Sequence, residues 1–263
     1  VTMNVDVSGP ATSSHSSNTI SLAMTEQDTF VASPFFTPTA NGVYTIEMWG
    51  VGDSLGLGTV ITNTDMITKT TEVTDYIYGK DLGIPTSSPR IIGGPSAQYH
   101  LTTRYEMYAN EQLYSARVFI DGQTSIGSLV KAIIYEVDTT SSSNVLFLNE
   151  SNPYTITAMD LNTWIDVTFN SPVNLNAGYA YVFGVAGFQH PTDSLLIGMS
   201  GSMMYAGEHN LFDEYGLDFS SMGTPTWYYI QKCPMIRMNF DPSLVITSSW
   251  DCDGQGNCSD PVT

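Results

Sequence analysis

Apolar and polar positions alternate with a period of two along most of this chain, and helical periodicity is nearly absent. Near the start, Val1, Met3, Val5 and Val7 alternate with polar residues, and Tyr44, Ile46 and Met48 do the same after the turn pair Asn41-Gly42. With a further strand at 59–62, residues 1–72 are expected to form a small immunoglobulin-like β-sandwich, complete or partial. A Thr-rich run at 62–74, then DYIYGKD at 75–81 and a loop dense in Pro, Ser and Gly at 83–96, mark a boundary near residue 72. Beyond it, strands are expected at 99–105, 113–120, 130–137, 145–148, 154–156, 164–169, 179–187, 195–199, 227–230 and 236–240. Short strands without intervening helices fit a jelly-roll-like sandwich over 73–245, with 246–263 as a Cys-containing connector. No repeat at a period of about 20–50 residues is present, which disfavours a solenoid or propeller. The expected fold is therefore all-β, two antiparallel β-sandwiches in series.

Charge narrows the partners. The 263 residues hold 8 Lys and Arg against 26 Asp and Glu, a formal net charge of -18, so the field repels phosphate backbones and anionic headgroups. Nucleic acid is not an expected partner. With 42% hydrophobic and 11% aromatic residues, the acidity belongs to a folded surface rather than to a disordered chain. No run approaches the roughly 18 apolar residues of a membrane helix, so no membrane insertion is expected. The opening VTMNVDVSG has neither an initiator Met nor signal-peptide regions, and Pro261-Val262-Thr263 stops in a turn-rich stretch. Both ends suggest a segment of a longer protein.

Several motifs raise chemistry that their surroundings do not support. Gly52-Asp53-Ser54-Leu55-Gly56 follows an apolar strand and matches both G-x-S-x-G and the Gly-Asp-Ser-Leu signature of an esterase family. A nucleophile elbow needs a helix after the turn, whereas LGLGTVIT at 55–62 is a poor helix start, and no His is preceded at three positions by Asp. A Gly-rich hairpin turn is the simpler reading, and no catalytic residue is assigned. His15, His100, His190 and His209 are scattered without zinc-ligand spacing and are expected on the surface or in loops. Acidic sandwiches of this kind can hold calcium through Asp side chains and loop carbonyls; one such ion is admitted, with no residues assigned to it. Trp49, Trp164 and Trp227 lie in expected strands and are read as core rather than as a sugar platform.

The tail SSWDCDGQGNCSDPVT at 248–263 has Asp251 and Asp253 beside Gly254, but an EF-hand loop counted from Asp251 would need ligands where Gln255 and Val262 stand. Cys-x5-Cys is not a redox motif, and nothing nearby is basic enough to lower a thiol pKa. There remains a disulfide between Cys252 and Cys258 across a short Gly-rich loop, in an oxidising compartment. Alternatively, either could pair with a cysteine beyond Thr263. Cys233, inside YYIQKCPMIRM, is left as a buried, unpaired apolar side chain.

DYIYGKD (75–81), LVKAIIYEVD (129–138), YTITAMDLNTWIDVTFNSPVNLNAGYAYVFGV (154–185), SLLIGMSG (194–201) and WYYIQKCPMIRMNF (227–240) resemble a module common in long secreted proteins of the Bacteroidetes. Such proteins typically leave the cell by the type IX secretion system. SWDCDGQGNCSDP (249–261) is similar to the Cys-containing connector that follows these modules, without its usual continuation into Gly, Tyr and further Cys. Residues before 72 are similar to the end of a generic adhesion-type sandwich. The resemblance implies an extracellular or cell-surface location, neighbouring domains of the same long chain as partners, and glycans or other surface proteins as ligands. It carries over no catalytic residues. The expected function is a non-catalytic structural or adhesive segment of a large exported protein; the alternative is a carbohydrate-binding accessory module of a secreted hydrolase, by analogy of fold. Exposed aromatics on one sheet would favour the binder, and fully buried tryptophans the spacer.

Overall fold

The computed structural model of the chain describes residues 1–23, 26–34, 36–53, 60–62, 66–137, 145–202, 209–213 and 226–244. Cys252 and Cys258, the connector at 246–263 and Ser54 lie outside them. The chain is all-β, its sheets antiparallel, and it divides into two compact units, Val1–Asp75 and Tyr76–Thr263.

In the first unit, β1 (Thr2–Ser8), β2 (Ser13–Ser17), β3 (Ala32–Ser33), β4 (Gly42–Asp53), β5 (Val60–Thr62) and β6 (Ile67–Val73) form one 6-stranded sheet. Its spine is the β1–β4 ladder, from Thr2 opposite Val51 to Ser8 opposite Thr45. Because partners across a ladder share a face, Met3, Val5 and Val7 line up with Ile46 and Met48 on one side. Val7 and Tyr44 are its buried apolar side chains; Tyr44 packs against Phe36 and donates its hydroxyl hydrogen to the Ala40 carbonyl. The second sheet that an immunoglobulin-like sandwich requires is not found among the described residues of this unit.

The second unit begins with β7 (Ile77–Tyr78), β8 (Ser87–Gly94), β9 (Ala97–Glu106), β10 (Glu111–Ile120), β11 (Leu129–Val137), β12 (Val145–Glu150) and β13 (Tyr154–Thr155). It continues with β14 (Thr163–Leu175), β15 (Ala180–Gly187), β16 (Leu195–Ser202), β17 (His209–Asp213), β18 (Thr226–Tyr229), β19 (Lys232–Pro234) and β20 (Ile236–Asn239). One arm of the ladder runs β12-β11-β15-β9-β17-β18, and the other joins β8, β16, β10, β14, β20 and β7. The arms connect at the turn between Gly94 and Ala97, where Gly94 has a φ of 155° that side-chain-bearing residues rarely adopt.

The two arms close over one core, a sandwich-like arrangement. Leu101, Tyr105, Val130, Ala132, Ile134, Tyr181, Phe183 and Val185 from the first arm meet Leu113, Val118, Ile120, Ile165, Val167, Ile197, Ile236 and Met238 from the second. The strands expected at 113–120, 130–137, 164–169 and 179–187 thus turn their alternating apolar positions inward as expected. Tyr105 crosses the core: fully buried, it donates its hydroxyl hydrogen to the Ile236 carbonyl at 2.7 Å and packs edge-on against Tyr78. Burial pushes its pKa well above the usual tyrosine value, so it remains a donor.

The outside of the second arm carries a polar clamp. Arg117 and Arg237 stand directly opposite on β10 and β20, a pairing of like charges that needs compensation. Arg237 is gripped by both carboxylate oxygens of Asp81, each at 2.7 Å, and its guanidinium lies 4.4 Å from the centre of the Trp164 ring. Arg117 is 3.7 Å from Asp166, which also accepts hydrogen bonds from Ser115 and Asn239. Gly79 leaves room for the Arg237 stem, which a Cβ there would meet at 2.7 Å. The clamp fastens the segment around β7 to β20. Because the Asp81 side chain is wholly buried, Asp81→Ala strands the arginine charge and is expected to cost about 3 kcal/mol. Chemical denaturation of the variant beside the parent chain measures this; a loss within error of zero contradicts the clamp.

Candidate aromatic recognition face

The arm β12-β11-β15-β9-β17-β18 has a second apolar face, pointing away from the core. Ile133, Tyr135, Val182 and Ala186 form a cluster of their own there, with Val137, Val145 and Trp227 packed on it. The register explains it. Odd positions of β11 and even positions of β15 alternate with those that enter the core, and both sets are apolar.

Rings from five strands converge on this face. Tyr135 of β11 packs edge-on against Phe147 of β12 at 5.8 Å and against Trp227 of β18 at 5.4 Å. Trp227 stacks on Phe212 of β17 at 4.7 Å, and Phe212 packs on His100 of β9 at 5.3 Å. His100 Nδ1 and the Tyr135 hydroxyl share a hydrogen bond of 2.7 Å. In a flat sheet, β11 and β18 would stand four inter-strand spacings apart, about 19 Å. The meeting of their rings therefore requires a sheet curled toward this face.

Gly184 sits at the centre of the curl. Ala186 pairs with His100 and Val182 with Tyr135, so the line joining the hydrogen-bonded pair crosses β15 at Gly184. A Cβ at Gly184 would run into the backbone of Leu101 and Thr102 on β9. Glycine here lets the neighbouring strand bend close while aromatic rings cover the gap.

The layer is graded in exposure. His100 and Tyr135 are buried at its floor, Phe212 and Trp227 are half-buried, Phe147 is 56% exposed, and Tyr229, which follows Trp227 in the same alternation, is 78% exposed. The fixed charges at the border are paired: Lys131 with Glu150 at 2.5 Å and Arg104 with Glu106 at 3.6 Å. Flat apolar rings, a few neutral polar atoms and compensated charge suit ligands with both a hydrocarbon face and hydroxyls.

Several expectations need correction. Trp49, Trp164 and Trp227 are half-buried rather than core, because each lies on the strand face opposite the one the core uses or on an open sheet. His100 and His209 are buried in strands, not on the surface; His15 is half-buried and His190 exposed. Cys233 is buried, as expected. Among the described residues no three His, Cys, Asp or Glu side chains are grouped so as to hold a metal ion, so the calcium admitted from composition gains no ligand set. Gly52 and Asp53 end β4, which pairs antiparallel with β5, from Val51 opposite Thr62 to Asp53 opposite Val60. Phe147 and Phe212 escaped notice because isolated phenylalanines carry no motif; the signal was their place in strands whose central neighbours are apolar on both faces.

Comparison with protein-family models, with curated proteins and with solved structures finds no match.

His209 lies on the core side of β17, hydrogen-bonded to Thr103 Oγ1 at 3.0 Å. Burial, with a smaller contribution from the Lys80 charge, lowers its pKa from 6.5 to about 4. The unfolded chain binds that proton near pH 6.5, so this stabilisation is complete above pH 6.5 and drains away as the pH falls toward 4. Relative to His209→Gln, the parent chain should lose on the order of 2 kcal/mol across that window, read from denaturation curves at pH 7 and pH 4. Gly184→Ala should force β15 and β9 apart and cost about 3 kcal/mol; a variant that melts with the parent would refute the close approach.

Proposed function

We propose that this chain is a non-catalytic adhesive segment of a large exported cell-surface protein, and that it recognises its ligand on the aromatic face of the second unit. In this reading the first unit belongs to an immunoglobulin-like sandwich and the second is a jelly-roll-like one, in series, with Cys252 and Cys258 closing a connector loop to the next domain. The export route is type IX secretion, by resemblance. The observation that carries the proposal is the convergence of Tyr135, Phe147, Phe212 and Trp227, with His100, on a curled sheet face outside the core. A spacer needs only a polar outer face, and this ring layer goes beyond that requirement.

The same observation favours a second reading, a carbohydrate-binding accessory module of a secreted hydrolase. Half-exposed rings beside neutral hydrogen-bonding groups stack well on the C–H faces of sugars. A net charge of -18 argues against acidic glycans and favours neutral ones.

The test is to immobilise the chain and measure its retention on panels of neutral oligosaccharides and of extracellular proteins. Binding should fall at least tenfold in Phe147→Ala/Trp227→Ala, a loss of about 1.4 kcal/mol or more, with the melting temperature of the second unit little changed. Neutral-glycan binding selects the accessory-module reading and protein binding the adhesive one. Binding indifferent to both substitutions, or turnover of ester or glycoside substrates, would overturn the proposal.

A further inference from the structure

The far edge of the first arm carries a second interaction surface, which shares Phe147 with the ring layer. β12 is paired with β11 along one side only, and among the described residues nothing pairs with its other side. On this strand Leu146, Phe147 and Leu148 are 55%, 56% and 40% exposed. Monomeric proteins usually blunt such an edge with charge or proline, because an open row of backbone donors and acceptors is a template for another strand. Positions 145–149, Val-Leu-Phe-Leu-Asn, hold neither, and the first charge is Glu150 at the end.

We propose that β12 is a self-pairing edge through which two copies of this chain associate. Its apolar triplet, Leu-Phe-Leu, reads the same in both directions. When two β12 strands run antiparallel about a twofold axis at Phe147, Phe147 stands opposite its own copy, Leu146 opposite Leu148 and Val145 opposite Asn149. From Leu146 to Leu148 the faces of the two copies match; beyond that the shifted register puts Asn149 on the side of Ile134, opposite that of Val145, so the matched strip is the apolar triplet itself. Leucine meets leucine on one face and phenylalanine meets phenylalanine on the other. No two like charges oppose each other within 145–149, so the neutral strip is a point where two chains of charge -18 can touch without local repulsion.

The pairing is short. The β11–β12 ladder shifts register between Ile134 and Tyr135, giving β12 an extra residue at Leu148, and such a bulge bends the strand and limits how far an added strand can follow. The interface is therefore small, with a dissociation constant of roughly 10 to 500 µM. Copies held on one surface would reach such concentrations locally, and a weak contact then becomes effective through multivalency.

The experiment is sedimentation velocity of the 263-residue chain from about 10 µM to 1 mM, a span that brackets such a constant. A reversible monomer–dimer equilibrium is expected. Leu146→Lys/Leu148→Lys places lysine opposite lysine twice and should weaken the dimer at least tenfold; Leu146→Glu/Leu148→Glu should do the same, and an equimolar mixture of the two variants should recover a heterodimer. Both positions are exposed and outside the ring layer, so melting should stay near that of the parent. In the parent chain, amide exchange at 145–149 should slow as concentration rises, a readout that survives any folding failure of the variants. A chain monomeric throughout, a dimer insensitive to the lysine pair, or concentration-dependent protection confined to other strands would overturn the proposal.

Discussion

β15 is buried at every position from Tyr181 to Gly187, and that double burial governs the second unit. An antiparallel sheet can leave one face to water, with apolar and polar residues alternating. Here the central strands β11 and β15 put apolar side chains on both faces, so two covers are required. The inner cover is the opposing arm, which fills the core around Tyr105 and Phe183. The outer cover comes from the same sheet. Strands from its margins bend back, and Phe147, Trp227 and Phe212 lay their rings over Tyr135 and His100. The candidate recognition face is thus a consequence of the need to cover the outer side of β15, and Gly184 is the backbone concession that permits it.

Electrostatics divides the surface accordingly. Lys and Arg number 8 against 26 acids, and each of Arg104, Arg117, Lys131 and Arg237 stands within 4 Å of a carboxylate. Of these, the buried Arg237–Asp81 pair has the geometry to matter for stability, since exposed pairs contribute little. Excess carboxylates spread over the surface keep chains apart in solution. Against that background, neutral regions become the places where contact is possible: the ring layer for a ligand, the β12 edge for a second copy.

Much of this was legible in the residues. Period-two alternation located β9, β10, β11, β14, β15, β16 and β20, and it identified which positions of four strands face the core. Two of the strands that were missed show why. β8 reads Ser-Ser-Pro-Arg-Ile-Ile-Gly-Gly, turn-forming composition that tertiary pairing with β16 overrides. β17, His-Asn-Leu-Phe-Asp, is too short and polar to show a period, and its pairing with β9 and β18 makes it a strand. The tryptophans were misplaced because hydrophobicity says that a ring avoids water, not which face it uses. With a second apolar face available, Trp227 could satisfy its hydrophobicity outside the core.

The same limit explains why the ring layer was invisible from spacing. Its members come from β9, β11, β12, β17 and β18, spread from His100 to Trp227, and no local window contains two of the contacts. What the chain does encode locally is the condition for such a layer: two adjacent strands, β11 and β15, apolar at odd and even positions alike, with Gly184 in the second. A continuously apolar strand ordinarily signals a parallel sheet flanked by helices on both sides. Among the described residues no helix is of the needed length, and the second cover must come from the sheet itself or from another molecule. The first solution is the aromatic layer, and curling the sheet to bring its marginal rings inward leaves the other side of β12, its outermost strand, unpaired among the described residues, the edge that the proposed second copy would use.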